Sequence, residues 1–364
     1  MSARVEGELT VRECVTAADM RAFFALAPML ARRGWATDEQ SSRETRRVIR
    51  LCKAEGKRFR YFACFGADQR PVCRCALSWR DGWDAGHVGF FESDGDERAV
   101  RLLFAQVCKV ARELGLSSLL GPVNGSIWDA YRYKVGGFDK GTYTCDRDTP
   151  RGYPRLWEAA GFVCAQTWHS DLLGNVLTGR PKAKLERRLA RALELGYRFA
   201  YVGEGGFSRG LTKMWRLIVE LYAGFPAYEP VSEAGFKARF RMLQPLLDPR
   251  CALLAYDREG TPVGFGVALP DYTQAVGAAK GLLGRGVALV RTRVHAARYV
   301  IAYVGVAPGH EGLGGALCAL LARRQEELGA EGIAALMAEG KPTASYAGSQ
   351  AIPTWHYALY HLPV

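Results

Sequence analysis

The chain has 364 residues, which exceeds one average domain and suits two domains of about 150–200 residues each. Its composition of 49% hydrophobic and 24% charged residues can bury a sizeable core and excludes a disordered chain. The formal net charge of +12 favours acidic partners such as phosphates, nucleotides or nucleic acid.

The ten cysteines include no Cys-x-x-Cys pair, and several lie inside apolar runs. This pattern favours buried free thiols in a reducing compartment over a zinc site or a disulfide framework. Residues 1–6 carry no apolar signal core, and no apolar stretch approaches the ~20 residues that span a bilayer. We therefore expect a soluble cytoplasmic protein without a metal or a membrane partner.

Hydrophobic periodicity and turn residues predict two α/β halves with the same order of elements. In the first half they predict strands at 9–12, 60–64, 72–78, 86–92 and 116–120, helices at 16–31 and 96–114, and a helix that ends at Gly161. In the second half they predict strands at 197–202, 251–257, 262–269, 298–306, 333–338 and 354–362 and helices at 211–222, 232–247 and 314–329.

Residues 174–196 connect the two halves, and their 184–195 part predicts a basic helix with leucines at 185, 189 and 193 on one face. We accordingly predict a first domain over 1–175, a helical connector over 176–196 and a second domain over 197–364. An insertion between Gln274 and Ala297 carries three arginines and a histidine. It could cover a site or form a solvated basic face.

A glycine-rich turn follows the predicted strand 298–306 and leads directly into the next helix. Such a turn directs several unpaired backbone N–H groups at one point, with the helix dipole behind them. It therefore predicts an anion site that suits a pyrophosphate. The turn lacks the Gly-Lys-Ser/Thr ending of a nucleotide-hydrolase P-loop, and it lies too near the C-terminus for an opening dinucleotide fold.

This turn resembles the acyl-CoA motif of the GNAT acyltransferases, Val-x-Pro-x-x-Gln/Arg-x-x-Gly-x-Gly/Ala. Val306, Pro308, Gly314 and Ala316 match it in register, whereas Glu311 occupies the position of the Gln or Arg. The resemblance implies two tandem GNAT-like α/β domains, each a mixed, mostly antiparallel sheet flanked by helices. It also implies an acyl-CoA donor, such as acetyl-CoA, held by these residues: Val304, Val306, Glu311, Gly312, Leu313, Gly314, Gly315 and Ala316.

The first half resembles a degenerate copy of the same domain, because Asp94, Asp96 and Glu97 stand where phosphates would bind. We expect it to be catalytically silent and to shape the acceptor cleft. In the second half, the resemblance implies that Tyr346 reprotonates the leaving thiolate. Glu339 and His310 are candidates to orient or deprotonate the acceptor, which we expect to be the primary amine of a small molecule.

Two other functions fit parts of the sequence. Fem-type peptidyltransferases are also paired GNAT domains, and they use aminoacyl-tRNA as donor. The basic connector, with six Lys and Arg residues between 180 and 191, would suit a tRNA. The run from Gly206 to Gly210 reads Gly-x-Ser-x-Gly, a hydrolase nucleophile elbow, but it opens the second half instead of following several βα units.

Overall fold

The computed structural model describes residues 9–174, 178–339 and 351–364. Within them the strands are β1 (Thr10–Glu13), β2 (Arg58–Phe65), β3 (Pro71–Trp79), β4 (Ala85–Ser93), β5 (Ser118–Gly121), β6 (Tyr133–Gly136), β7 (Val163–Leu173), β8 (Arg198–Tyr201), β9 (Ala252–Tyr256), β10 (Pro262–Pro270), β11 (Arg298–Val306), β12 (Glu331–Ala338) and β13 (Ile352–Pro363). The α-helices are α1 (Ala17–Arg32), α2 (Ser42–Ala54), α3 (Glu97–Glu113), α4 (Tyr153–Ala159), α5 (Gly179–Glu194), α6 (Phe207–Leu221), α7 (Glu233–Phe240), α8 (Thr273–Ala278), α9 (Gly281–Val294) and α10 (Leu313–Glu327).

The two halves repeat one arrangement of strands, as the sequence predicts. β1 to β4 form an antiparallel series, α3 follows, and β5 returns parallel to β4. In the second half β8 to β11 form the same series, α10 follows, and β12 returns parallel to β11. A parallel return requires a crossover, and in each half the helix supplies it.

The sheets of the two halves are joined into one, with strand order β1-β2-β3-β4-β5-β13-β7-β12-β11-β10-β9-β8. The last strand, β13, pairs with β5 of the first half, and β7 pairs with β12 of the second half. The prediction of a mixed, mostly antiparallel sheet flanked by helices in each half is confirmed, and the structure adds that the two sheets are continuous. The sequence prediction missed β7 altogether, because the strand VCAQTWHSDLL mixes polar and apolar residues without clean alternation.

The predicted connector is a helix that packs on the second half. Leu185 and Leu189 of α5 are buried with residues of α10, while Leu193 is exposed, so the leucine face ends one turn earlier than expected. Lys182 Nζ lies 2.8 Å from Glu326 of α10 and adds a partly exposed ion pair. This packing places the basic face of α5 beside the N-terminus of α10.

Buried ion pairs cross between the halves. Lys57 of the first half lies 3.0 Å from Glu229, and Arg239 Nε lies 3.0 Å from Asp129 Oδ1, with all four side chains nearly inaccessible to water. Removing one partner of such a pair leaves an uncompensated buried charge, which typically costs about 3–5 kcal/mol. These pairs stabilise the arrangement of the two halves around the space between them.

Candidate functional site

β11 and β12 pair only at one end and then separate. The parallel pairing joins Arg298–Ile301 of β11 to residues 331–334 of β12. Beyond that point β11 carries a bulge at Ala302, and Leu336 of β12 has a φ of +59° with its N–H donating to Ser170 Oγ of β7. Within the described residues, the 302–306 edge of β11 therefore faces an opening instead of a strand.

The glycine-rich turn lies at the end of this opening. Gly309 and Gly312 have φ values of +83° and +92°, which favour glycine, and Gly312 precedes α10. In the described part of the chain no side chain caps this helix, so its dipole faces outward. The N–H groups of Leu313 and Gly315 donate to the carbonyl oxygens of His310 and Gly312, at 3.2 and 3.0 Å. The side chain of Glu311 turns back and accepts a hydrogen bond from the Gly309 N–H at 3.2 Å.

The basic face of α5 and the turn enclose a pocket of about 420 Å³, which we call the donor pocket. Its lining includes Lys184, Arg187, Arg188 and Arg191 opposite residues 309–313. A Cβ on Gly315 would lie 2.3 Å from Cδ of Arg188, so the glycine lets that arginine cross the first turn of α10. Four cationic side chains outweigh the single carboxylate of Glu311, which makes the pocket suitable for phosphates.

The structure places the other predicted site residues as follows. Val304 and Val306 are half-buried on β11, and Leu313, Gly314, Gly315 and Ala316 are buried at the start of α10, so the most accessible part of the motif is 308–312. His310 lies in the donor pocket, with Nδ1 2.7 Å from the hydroxyl of Tyr197. Glu339 is exposed beyond the end of β12. Tyr346 lies outside the described residues.

The corresponding opening in the first half is filled by the chain itself. The loop after β5 enters between β4 and β5, where Asn124 Oδ1 accepts the N–H of Phe90 at 2.6 Å. A Cβ on Gly89 would lie 2.0 Å from the carbonyl oxygen of Val123. In the following turn, side chains of Ser93, Asp94 and Asp96 already accept the N–H groups of residues 95, 96 and 99. Among the described residues, the loop thus occupies this opening, and three N–H groups of the turn are already bonded.

A second cavity, of about 430 Å³, lies between the two halves, and we call it the central cavity. Sequence reasoning missed the residues that line it. Tyr303 of β11 and Leu336 of β12 line it, so it meets the opening between these strands. Charged residues of the first half, among them Glu92 and Arg132, form much of its wall. These residues lie far apart in the sequence and follow no motif, which is why no local pattern indicated them.

One carboxylate of the central cavity has a strongly shifted pKa. Burial raises the pKa of Glu92 to about 7, against the partial compensation of Arg74 and of the hydrogen bond from Tyr153. Its two oxygens accept the N–H groups of Asp38 and Glu39 as well as the Tyr153 hydroxyl. Glu92 is thus held in place by hydrogen bonds and titrates near neutral pH.

No protein-family model and no curated protein matches the chain. Solved structures do. A protein from Enterococcus faecalis V583, described as a probable N-acyltransferase, superposes with a TM-score of 0.56 at 8% identity, over 98% of this chain and 73% of its own. A GCN5-related N-acetyltransferase from Anabaena variabilis gives 0.52 at 9% identity, over 97% and 72%. The chain has the GNAT fold.

A third structure with the GNAT fold is a glucosamine N-acetyltransferase region in a fungal multi-domain GH3 β-N-acetylglucosaminidase. It gives a TM-score of 0.52 at 13% identity, over 100% of this chain and only 39% of that longer chain. Identities this low show a shared fold. They do not indicate that the proteins share substrates.

The GNAT fold argues against the hydrolase interpretation. Ser208 is exposed in the first turn of α6, after β8, an edge strand that is antiparallel to its neighbour β9. A nucleophile elbow needs an inner strand of a parallel sheet.

Among the described residues, no group of three or more His, Cys, Asp and Glu side chains could hold a metal ion. Nor does that part of the chain contain a helix with the length and apolar character to span a bilayer.

Proposed function

We propose that the protein is an N-acyltransferase that moves an acyl group from an acyl-CoA thioester to the primary amine of a small molecule. One observation carries the proposal: the donor pocket, the open edge of β11 and the central cavity between the halves follow one another. A donor with its phosphates at 309–312 could extend its pantetheine arm along β11 and present the thioester near Tyr303. The same path is blocked in the first half, which supports a silent first domain.

The reaction requires the amine nitrogen to attack the thioester carbonyl. A C–N bond forms, the C–S bond breaks, the amine loses a proton and the departing thiolate gains one. We assign the stabilisation of the developing oxyanion to the backbone N–H groups within 304–306 that point away from β10, toward the open edge of β11. We assign the proton for the thiolate to Tyr346, as the resemblance implies.

Aminoacyl-tRNA is the second candidate donor, and a specific feature favours it. Between Asp271 and Glu311 the chain has no acidic residue and five Lys or Arg residues, several of them on α9. That surface would suit an extended polyanion. The arginines of α5 do not distinguish the two donors, because they lie in the donor pocket and would contact the phosphates of either.

Activity on a panel of amines separates the donors, with acetyl-CoA in one arm and charged tRNA, with and without ribonuclease, in the other. We expect ribonuclease-resistant acetylation whose donor affinity falls modestly with salt. Activity that requires charged tRNA, with affinity falling on the order of 10³-fold between ~50 and ~200 mM salt, would instead establish the tRNA donor. Arg187→Glu should weaken acetyl-CoA binding in the first case, and an unchanged affinity would remove the donor from this pocket.

A further inference from the structure

Arg132 differs from the other cationic residues of the central cavity. Within the described residues, five cations of the lining have an acidic partner within 4 Å: Arg47 with Glu44, Arg74 with Glu39, Lys134 with Asp146, Arg147 with Asp38, and Arg239 with Asp129. In the same part of the chain Arg132 forms no ion pair, and its buried Nη1 has no hydrogen-bond partner. A buried cationic donor without a partner is costly, and a bound anion would satisfy it.

Aromatic rings hold this guanidinium in place. Its central carbon lies 4.1 Å from the centroid of the Tyr131 ring and 5.5 Å from those of Trp168 and Tyr357. Cation–π contacts of this kind engage the faces of the rings. The Tyr131 side chain also accepts a hydrogen bond from Arg132, while Nη1 has no partner among the described residues. The Arg132 backbone has a φ of +64°, an uncommon conformation for a residue with a side chain, and its N–H donates to the Pro122 carbonyl oxygen at 3.0 Å.

Arg132 lines the cavity that meets the opening between β11 and β12. Tyr131, Arg132 and Tyr357 line the same cavity as Tyr303 and Leu336, which stand at the opening between β11 and β12. A cavity of about 430 Å³ takes a small molecule. A planar guanidinium binds a carboxylate or a phosphate through two parallel hydrogen bonds.

We propose that Arg132 binds an anionic oxygen group of the acceptor, so that the acceptor is a small zwitterion that carries both a primary amine and a carboxylate or phosphate. This inference rests on the proposed function, because it takes the central cavity as the acceptor site. It predicts that an amine without the acidic group is a poor ligand.

Equilibrium binding tests the inference without requiring turnover. The probes are the common amino acids and 2-aminoethyl phosphate, each compared by calorimetry with a matched molecule that lacks the anion: the decarboxylated amine, the carboxamide or ethanolamine. At least one acidic probe should bind about 10- to 100-fold more tightly than its neutral match, as expected for charge-assisted hydrogen bonds. Preference among the acidic probes separates carboxylate from phosphate. Equal binding of acidic and neutral probes, or no binding of any acidic probe, would overturn the inference.

Variants connect the preference to Arg132. Arg132→Met should abolish it, and Arg132→Lys should retain part of it, since lysine keeps the charge but loses the fork. Arg151→Met is the matched control, because Arg151 is exposed and contacts the Phe138 ring. If Arg132→Met does not fold, the lysine variant decides, and an undiminished preference in it would overturn the inference. Coenzyme A binding is measured separately: its absence, with the Arg132-dependent preference intact, would refute the proposed donor and not this inference.

Discussion

Glu311 provides a sharp test of where the donor phosphates bind. Its carboxylate already accepts the Gly309 N–H at 3.2 Å, so it would lie beside a phosphate that uses the same turn. At a separation of about 5 Å in water, each phosphate charge repels the carboxylate by about 0.8 kcal/mol, and the two charges of a pyrophosphate by about 1.6 kcal/mol. Glu311→Gln keeps an oxygen that can accept the same hydrogen bond and removes only the charge.

We therefore expect Glu311→Gln to tighten coenzyme A binding about 15-fold at low salt and about 4-fold near 150 mM, where screening roughly halves the repulsion. Calorimetry at the two salt concentrations measures both values. Glu97→Gln is the matched control, because Glu97 occupies the first turn of α3 in the first half and its loss should leave the affinity unchanged. An affinity that stays the same or weakens in Glu311→Gln would refute phosphate binding at this turn.

Other predictions test the first half and the chemistry. Gly89→Ala should destabilise the fold by about 1–3 kcal/mol, because its Cβ would meet the Val123 carbonyl oxygen. Gly224→Ala is the control, because the space around Gly224 is open. Equal melting temperatures of the two variants would contradict the claim that the loop after β5 fills the opening in the first half. The pKa of Glu92 is raised from 4.5 to about 7 in the folded protein. Between these pH values the folded state holds a proton that the unfolded state has lost, so the free energy of unfolding should fall by up to about 3 kcal/mol as pH rises from about 4.5 to 7. Denaturant unfolding across this range should show a shallower fall in Glu92→Gln, and an identical slope would assign the change to other groups. Tyr346→Phe should lower turnover roughly 10²- to 10⁴-fold with little change in donor affinity, and unaltered turnover would leave Tyr346 a packing role only.

The elements of the donor turn could be predicted because their signals are local. The strand at 298–306, the proline after it, the glycines and the following helix lie within about thirty consecutive residues, and the structure has the strand at those bounds and the helix within two residues. Alternating apolar residues, a helix breaker and positive-φ glycines act through neighbouring residues, so they do not depend on the rest of the chain. The same holds for α3, which begins after Asp96 as the acidic first turn predicts.

By itself, then, the sequence determined the order of most strands and helices, the repeated halves and the glycine-rich turn. Only the tertiary structure decided that β13 pairs with β5 of the first half and β7 with β12 of the second half. It also decided that α5 brings Arg187 to the turn and that Arg132 lines the central cavity. Backbone hydrogen bonds in a sheet are nearly indifferent to side-chain identity, so a strand's pattern predicts that it pairs but not with which partner. The cavity depends on that choice of partner, because it unites residues from 38 to 357 that meet only when the whole sheet is assembled.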